Sequence, residues 1–503
     1  MSVKLSPKNF FQTCQDIEAF LFNCQKRSVE KHHPQWVSLS WELPSIDPLI
    51  AFDRLRKLEC SRLLQNGQQH FYLENPNQNT AIAAVGTASH FCTEGAKRFD
   101  LAREFVERCT ANAIVPGERD LRDNELRFFC SFTFFDDPGR EVAYSVPTRT
   151  DIVFPAVTVF LPHWQIARTE RQTTAVCNLA IRADSEIEHL ARQTWQVLDR
   201  LKSLPVSEIS DSKPRSRNSF GTRSRPPHPP KRLQPDFREL DRFKQSVVRA
   251  LDAIATQSLH KIVLSHAIDL VAATPYDLTR SLQNLRCLYP DCYTFATGNG
   301  RGQHFIGASP ERLLQIQTGE LLADALAGSA PRGKTAAADA HLANRLLCDN
   351  KELHEHRVVL HFIQQHLQAL GLTLRPIPPM RLLQLSNIQH LWTPVRATVP
   401  EGVHPLQVLE RLHPTPAVAG VPRTLACDAI RQWEAFDRQL YAAPLGWIDS
   451  AGNSEFVVGI RSALLDGDRA RLYAGAGIVA GSDPEKELAE IQLKLQALLK
   501  ALA

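Results

Sequence analysis

The sequence has no apolar run approaching the roughly 18 residues a membrane-spanning helix needs, so no membrane partner is expected. It has no C-x-x-C pair. Its 11 cysteines are scattered, which points to reduced thiols and away from a disulfide framework or a zinc ribbon. The first residues, M-S-V-K-L-S-P-K-N-F-F-Q-T-C-Q-D-I-E, lack a secretory apolar core and carry Asp16 and Glu18, so a cytoplasmic protein is expected. There is no H-E-x-x-H. The H-E-H at 354–356 fans out around a helix and does not pair two histidines for zinc. Net charge is also small outside one segment. The chain carries +4, and residues 205–235 hold seven cations against Glu208 and Asp211, which leaves the remainder near −1. A body so balanced gives no reason to expect a nucleic-acid surface.

What is present is globular. The 503 residues are 43% hydrophobic and 22% charged, enough for two to four average domains or one large unit. In the first 204 residues, helices are expected at 10–27, 88–106 and 185–204, with residues 50–64 open between helix and strand. Strands are expected at 36–41, 128–135, 156–161 and 174–181, and a hairpin over 70–73 and 81–85. No catalytic motif stands out there. Residues 205–235 break the pattern with seven of the 32 prolines and almost no large apolar residue, the composition of a flexible linker or insertion. A basic docking arm is the functional alternative. Beyond it, helices are expected at 240–257, 342–370, 404–412 and 423–438. Strands are expected at 261–270, 292–297, 304–308, within 386–399, and at 440–448, 454–465 and 470–476.

The stretch from Leu472 to Lys494 turns from a glycine-broken strand into a helix. Ser482 and Glu485 have capping-box spacing, with Pro484 in the first turn. Leu488, Ile491, Leu495, Leu498 and Leu499 form the apolar face, and Glu487, Glu490 and Lys494 fall on one stripe beside it. Other polar residues occupy places a purely structural pattern would not give them. Lys261 opens an apolar strand, on the face shared by Val263, Ser265 and Asp269, opposite Ile262, Leu264, Ile268 and Leu270. Glu311 follows G-A-S-P, Glu355 lies on a helix, and Arg461 interrupts F-V-V-G-I-R-S-A-L. Each alone has a plain explanation: a snorkelling lysine, a turn residue, a solvated glutamate, a structural ion pair.

Together they form a pattern. G-A-S-P-E-R-L-L (307–314), A-L-A-G-S-A-P-R-G (325–333), N-K-E-L-H-E-H (350–356), L-H-P-T-P-A-V-A-G-V-P (412–422), F-V-V-G-I-R-S-A (456–463) and Y-A-G-A-G-I-V-A-G-S-D-P-E-K-E (473–487) occur in the order seen in chorismate-utilising enzymes. The sequence resembles isochorismate synthases, specifically over 236–503 and only generally over 1–204.

That resemblance implies an α/β (α+β) fold: two large, mostly antiparallel sheets packed face to face with helices outside and the site between them. Residues 1–204 would be the first half of the fold, and 236–503 the chorismate-binding catalytic region. By matching motifs, Lys261 is the general base and Glu311 the general acid. Glu355 and Glu490 are magnesium ligands, with Glu487 close by. Gly328, Ser329, Arg461 and Gly475 contact chorismate, while His390, Tyr441 and Lys494 support the site. Ala417 and Val418 resemble the isochorismate-forming branch, where salicylate-forming relatives more often carry a hydroxyl. The resemblance further implies Mg²⁺ as cofactor, chorismate as substrate and a monomer.

Two departures are visible. His266 stands where an arginine is usual, which puts support of the Lys261 strand in question, and Asp349 replaces a small hydroxyl residue. Two other readings remain open: a sibling enzyme making salicylate, anthranilate or aminodeoxychorismate, and a non-catalytic anion- or RNA-binding protein. Lys261 argues against the amine-adding siblings, and A-L-A-G lacks the lysine of aminodeoxychorismate synthases. The joint presence of acid, base and metal residues argues against the last reading.

Overall fold

A computed structural model of the chain describes residues 11–62, 69–116, 126–137, 154–170, 172–205, 231–232, 237–386 and 388–502. The expected linker at 205–235 therefore lies almost wholly outside the described residues. Within it, Lys231–Arg232 forms a short strand antiparallel to Val271 and Leu270.

Two sheets dominate, one of 13 strands and one of 10 among the described residues. Among the described residues every pairing is antiparallel except that of Gln35–Leu43 with Ala113–Ile114. In each sheet the strands of the first half form one block and those of the second half another, and the two blocks join at a single pairing. Tyr293–Asn299 pairs with Gln69–Asn75, and Pro444–Asp449 pairs with Arg127–Phe132. The first half thus extends the same two sheets from one side, and one apolar core runs through both halves.

Several helices form where the apolar spacing places them. Cys14–Lys31 begins with a true capping box, since Thr13 Oγ accepts from Asp16 N and Asp16 accepts from Thr13 N at 2.8 Å. Residues 48–62 resolve to helix. Phe237–Ala255 packs over the strand Lys261–Val271, whose Ile262, Leu264, Ile268 and Leu270 are all buried, as their alternation predicts.

Several expectations are corrected. Residues 88–106 are not one helix. Ser89–Thr93 is an edge strand paired with Val157–Leu161, Gly95 turns the chain at φ 91°, and the helix starts at Arg98. The long helix at 342–370 is two helices, Ala336–Cys348 and Asn350–Ala369, broken at Asp349. Asp349 is extended, and its carboxylate accepts from Lys351 N and Glu352 N. The departure at Asp349 is therefore a helix cap. The last helix is capped by Asp483, not Ser482: Asp483 Oδ1 accepts from Glu485 N and Lys486 N, both at 3.0 Å. Ser482 Oγ instead accepts from Val479 N. The strands Trp164–Arg168, Arg312–Gln317 and Glu320–Pro331 had no counterpart in the sequence reading.

The correction that matters for function concerns residues 454–465, read as one strand. They are two, Ser454–Val458 in the smaller sheet and Ser462–Asp466 in the larger. The chain passes between sheets at Gly459–Arg461. It makes a second passage between Gln303–Ser309 in the larger sheet and Arg312–Gln317 in the smaller, at Pro310–Glu311. The two passages are hydrogen-bonded to each other: Ala308 N donates to Arg461 O and Val458 N to Glu311 O, both at 3.1 Å. Glu311 and Arg461 thereby enter the space between the sheets.

Candidate active site

A cavity of about 140 Å³ lies in that space. Its walls include Glu311, Gly328, Ser329, Glu355, His390, Ala417, Val418, Tyr441, Arg461, Gly475, Glu487, Glu490 and Lys494. Every residue assigned from sequence lines it except Lys261. Lys261 sits behind Glu355, fully buried, with its Nζ 2.5 Å from Glu355 Oε1.

The strand Arg469–Ile478 forms one wall. It pairs with the Lys261 strand so that Gly475 faces Ser265 and Gly477 faces Val263. The alternate glycines leave room on the cavity side of the sheet. A Cβ at Gly475 would lie 2.8 Å from the Tyr441 hydroxyl and 3.0 Å from Ser265 Oγ, and one at Gly477 would lie 3.2 Å from Glu355 Oε1. Tyr441 stacks on Tyr473 at 5.2 Å between centroids.

The opposite wall comes from the smaller sheet. The expected turn at Gly328–Ser329 is a β-bulge in Glu320–Pro331, with Gly328 at φ 76° and Ser329 opposite His390. Ser329 N donates to Glu352 Oε2 at 3.0 Å. His390 is fixed at both nitrogens, with Nδ1 3.3 Å from Gly328 O and Nε2 3.1 Å from Arg461 Nη2. Because the guanidinium can only donate, Nε2 accepts and Nδ1 carries the proton. Burial, with the charges of Arg461 and Lys494, pushes His390 down to about 3, so it is neutral. Arg461 itself has φ 49°, a left-handed backbone uncommon for a side chain of this size, at the point where the chain changes sheets.

Glu311 is buried and has no ion-pair partner among the described residues. Burial, helped by the charge of Asp324 and opposed by Lys261, raises its carboxyl to about 8, so it holds a proton at neutral pH.

Four carboxylates complete the cavity. Glu352 and Glu355 lie one turn apart on Asn350–Ala369, and Glu487 and Glu490 one turn apart on Pro484–Leu502. They repel one another. Burial and then Glu355 raise Glu352 to about 7, while burial raises Glu487 with Glu490 adding to it. Lysines offset the crowding: Lys261 on Glu355, Lys494 on Glu490 at 2.7 Å, Lys351 on Glu487 at 3.7 Å. Lys494 also donates to Gly475 O at 2.8 Å, tying the helix to the glycine strand. No three acidic, histidine or cysteine side chains among the described residues already converge as a metal cage. Even so, crowded carboxylates with no other protein ligand are the donor set of a hard divalent cation. Of the H-E-H histidines, His356 turns away from the cavity, its Nε2 2.8 Å from Thr393 Oγ1.

Glu352 escaped the sequence reading, although its i, i+3 spacing from Glu355 was a usable signal. So did the buried pair Glu434–Arg438 behind the site. Arg438 donates to Glu434 and to the carbonyls of Val263 and Val418, at 2.7 and 2.8 Å, and Glu434 accepts from Ser265 N at 2.8 Å. This bracket holds the Lys261 strand by its backbone at Val263 and Ser265.

The family model for chorismate binding enzymes matches residues 20–503. The chain belongs to the chorismate-binding enzyme family. It is 38% identical over 485 residues to the isochorismate synthase MenF of Bacillus subtilis, covering 95% of each chain. It is 33% identical over 477 residues to the salicylate biosynthesis isochorismate synthase of Pseudomonas aeruginosa, covering 93% of this chain and 90% of that one. The solved structure of MenF, the menaquinone-specific isochorismate synthase from Escherichia coli, superposes with a TM-score of 0.72 at 26% identity. It covers 96% of this chain and 100% of that one. No helix among the described residues is long and apolar enough to cross a membrane.

Proposed function

We propose that this enzyme is an isochorismate synthase, converting chorismate to isochorismate by adding water at one ring carbon as hydroxide leaves from another. The observation that carries the reading is a protonated carboxyl, Glu311, in the cavity wall, with the Lys261 amine directly behind that wall at Glu355. Glu311 keeps a proton to give, and Lys261, held behind Glu355, is the amine that would take one. Glu311 protonates the departing hydroxyl, and Lys261 receives the proton of the attacking water. Lys261 does this only as the neutral amine. Its Nζ lies 2.5 Å from Glu355 Oε1, so that contact has to open before the amine can reach a water.

The carboxylates fit magnesium in number and type. Glu355 and Glu490 would hold it from facing helices, with Glu487 and Glu352 beside them. Bound there, Mg²⁺ would supply positive charge for a carboxylate of the substrate. Arg461, oriented by His390, and the backbone at Gly475 hold the enolpyruvyl carboxylate. The bulge at Gly328–Ser329 shapes the other side. Ala417 and Val418 present an apolar surface with no hydroxyl to alter the pose of the enolpyruvyl group, which favours hydroxyl exchange over pyruvate loss. The full-length likeness to MenF proteins supports a place in menaquinone synthesis.

Purified protein incubated with chorismate and Mg²⁺ should give a mixture of chorismate and isochorismate on chromatography. Stoichiometric pyruvate and salicylate would exclude this reading, and ammonia-dependent anthranilate would exclude the branch.

A further inference from the structure

We propose that Lys351 is the resident counter-ion of the carboxylate cluster and sets how tightly that cluster takes a divalent cation. The inference rests on the metal reading above. Three of the four carboxylates have a lysine, but the three lysines differ in kind. Lys261 is enclosed, with 3% of its side chain exposed. Lys494 is anchored twice, on Glu490 and on Gly475 O. Lys351 has 36% of its side chain exposed, and its ion pair with Glu487 is loose at 3.7 Å.

The position of Lys351 is not explained by its own helix. It lies in the first turn of Asn350–Ala369, where the helix dipole disfavours a cation; Asp349 and Glu352 there follow the dipole and Lys351 opposes it. What faces Lys351 is the cluster: its charge acts on Glu352, Glu355 and Glu487, on both helices. A divalent cation between the helices would meet the same carboxylates and be repelled by the ammonium. A flexible stem at the mouth of the cavity lets the ammonium move out to solvent when the cation enters. Lys351 thus competes with the metal and stabilises the cluster without it.

The test uses the full-length protein, stripped of metal with chelator and titrated with Mn²⁺ by calorimetry in the absence of substrate. Lys351→Met and Lys351→Gln should bind Mn²⁺ about two- to fivefold more tightly than wild type, as expected for loss of a partly exposed opposing charge. Lys351→Arg should stay within about twofold. In metal-free buffer the neutral variants should melt below wild type, and saturating Mn²⁺ should close the gap. Two variants of different shape guard against one failing to fold. Unchanged or weaker Mn²⁺ binding in both neutral variants overturns the proposal. So does a rise in KM for chorismate at unchanged Mn²⁺ affinity, which would make Lys351 a substrate contact instead. If wild type binds no Mn²⁺ or Mg²⁺ at all, the metal reading fails along with it.

Discussion

Lys261 Nζ and Glu355 Oε1 form a buried ion pair at 2.5 Å, linking the first residue of a sheet strand to the second turn of a helix 94 residues later. Lys261→Ala should lower turnover by at least about 10²-fold, the usual share of a general base. It should also destabilise the fold, since Glu355 would be left buried and unpaired; the cost is about 1–3 kcal/mol. Adding Glu355→Gln should return part of that stability without restoring turnover. Thermal melts and initial rates of the two single variants and the double variant decide the matter. Near-normal turnover in Lys261→Ala would remove its catalytic role.

The proton on Glu311 gives a pH dependence with a definite sign. Its folded pKa of about 8 lies above the ordinary 4.5 of a glutamate. The stability this group gives is therefore complete below about pH 4.5 and is lost as pH rises through about 8. The acid form needed to protonate a leaving hydroxyl is lost over the same upper limb. kcat/KM should thus fall above about pH 8. Asp324 contributes after burial to that raised pKa, and it is held by Arg312 at 3.2 Å and Trp392 Nε1 at 2.9 Å. Asp324→Asn should move the alkaline limb to lower pH. A limb that stays in place would show that Asp324 does not tune the acid.

How much of this was legible in the sequence depends on the range of the forces involved. The face of the Lys261 strand could be read because alternation is local, and the stripe Glu487–Glu490–Lys494 because helical spacing is local. The break at Gly459–Arg461 could not. The residues on either side look like one apolar strand, and only the positions of two sheets separate them. Glu352 was missed because one glutamate in a helix's first turn is ordinary there; its value comes from Ser329 N on a distant bulge. The helix at 88–106 was misread because Ser89–Thr93 is strand only through pairing with Val157–Leu161.

Activity should vanish with chelator and return on adding Mg²⁺. The basis is four crowded carboxylates on two facing helices, offset only by lysines. Glu355→Gln and Glu490→Gln should each raise the Mg²⁺ concentration needed for half-maximal rate or abolish turnover. Glu490→Gln also frees Lys494 from its 2.7 Å pair, so a loss of chorismate affinity should accompany it. Full activity in excess chelator would refute the metal role.

Gly475→Ala tests whether the glycine strand is a substrate wall or only a packing choice. The added methyl would sit 2.8 Å from the Tyr441 hydroxyl and 3.0 Å from Ser265 Oγ. Neither neighbour can yield freely, because Tyr441 is stacked on Tyr473 and the Ser265 backbone is held by Glu434. The strain falls on the Tyr441 hydroxyl in the cavity wall and on the buried Ser265 hydroxyl, so the expected stability cost is about 1–3 kcal/mol for overpacking. The effect on chemistry should be specific. The backbone at residue 475 faces the space assigned to the enolpyruvyl carboxylate, and a methyl there excludes a close-approaching anion while Lys261 and Glu311 remain untouched. KM for chorismate should rise about tenfold or more with a smaller change in kcat, the pattern of lost uniform binding. A fall in kcat at unchanged KM would instead place residue 475 beside the reacting carbons, and the enolpyruvyl carboxylate would have to lie elsewhere along the cavity.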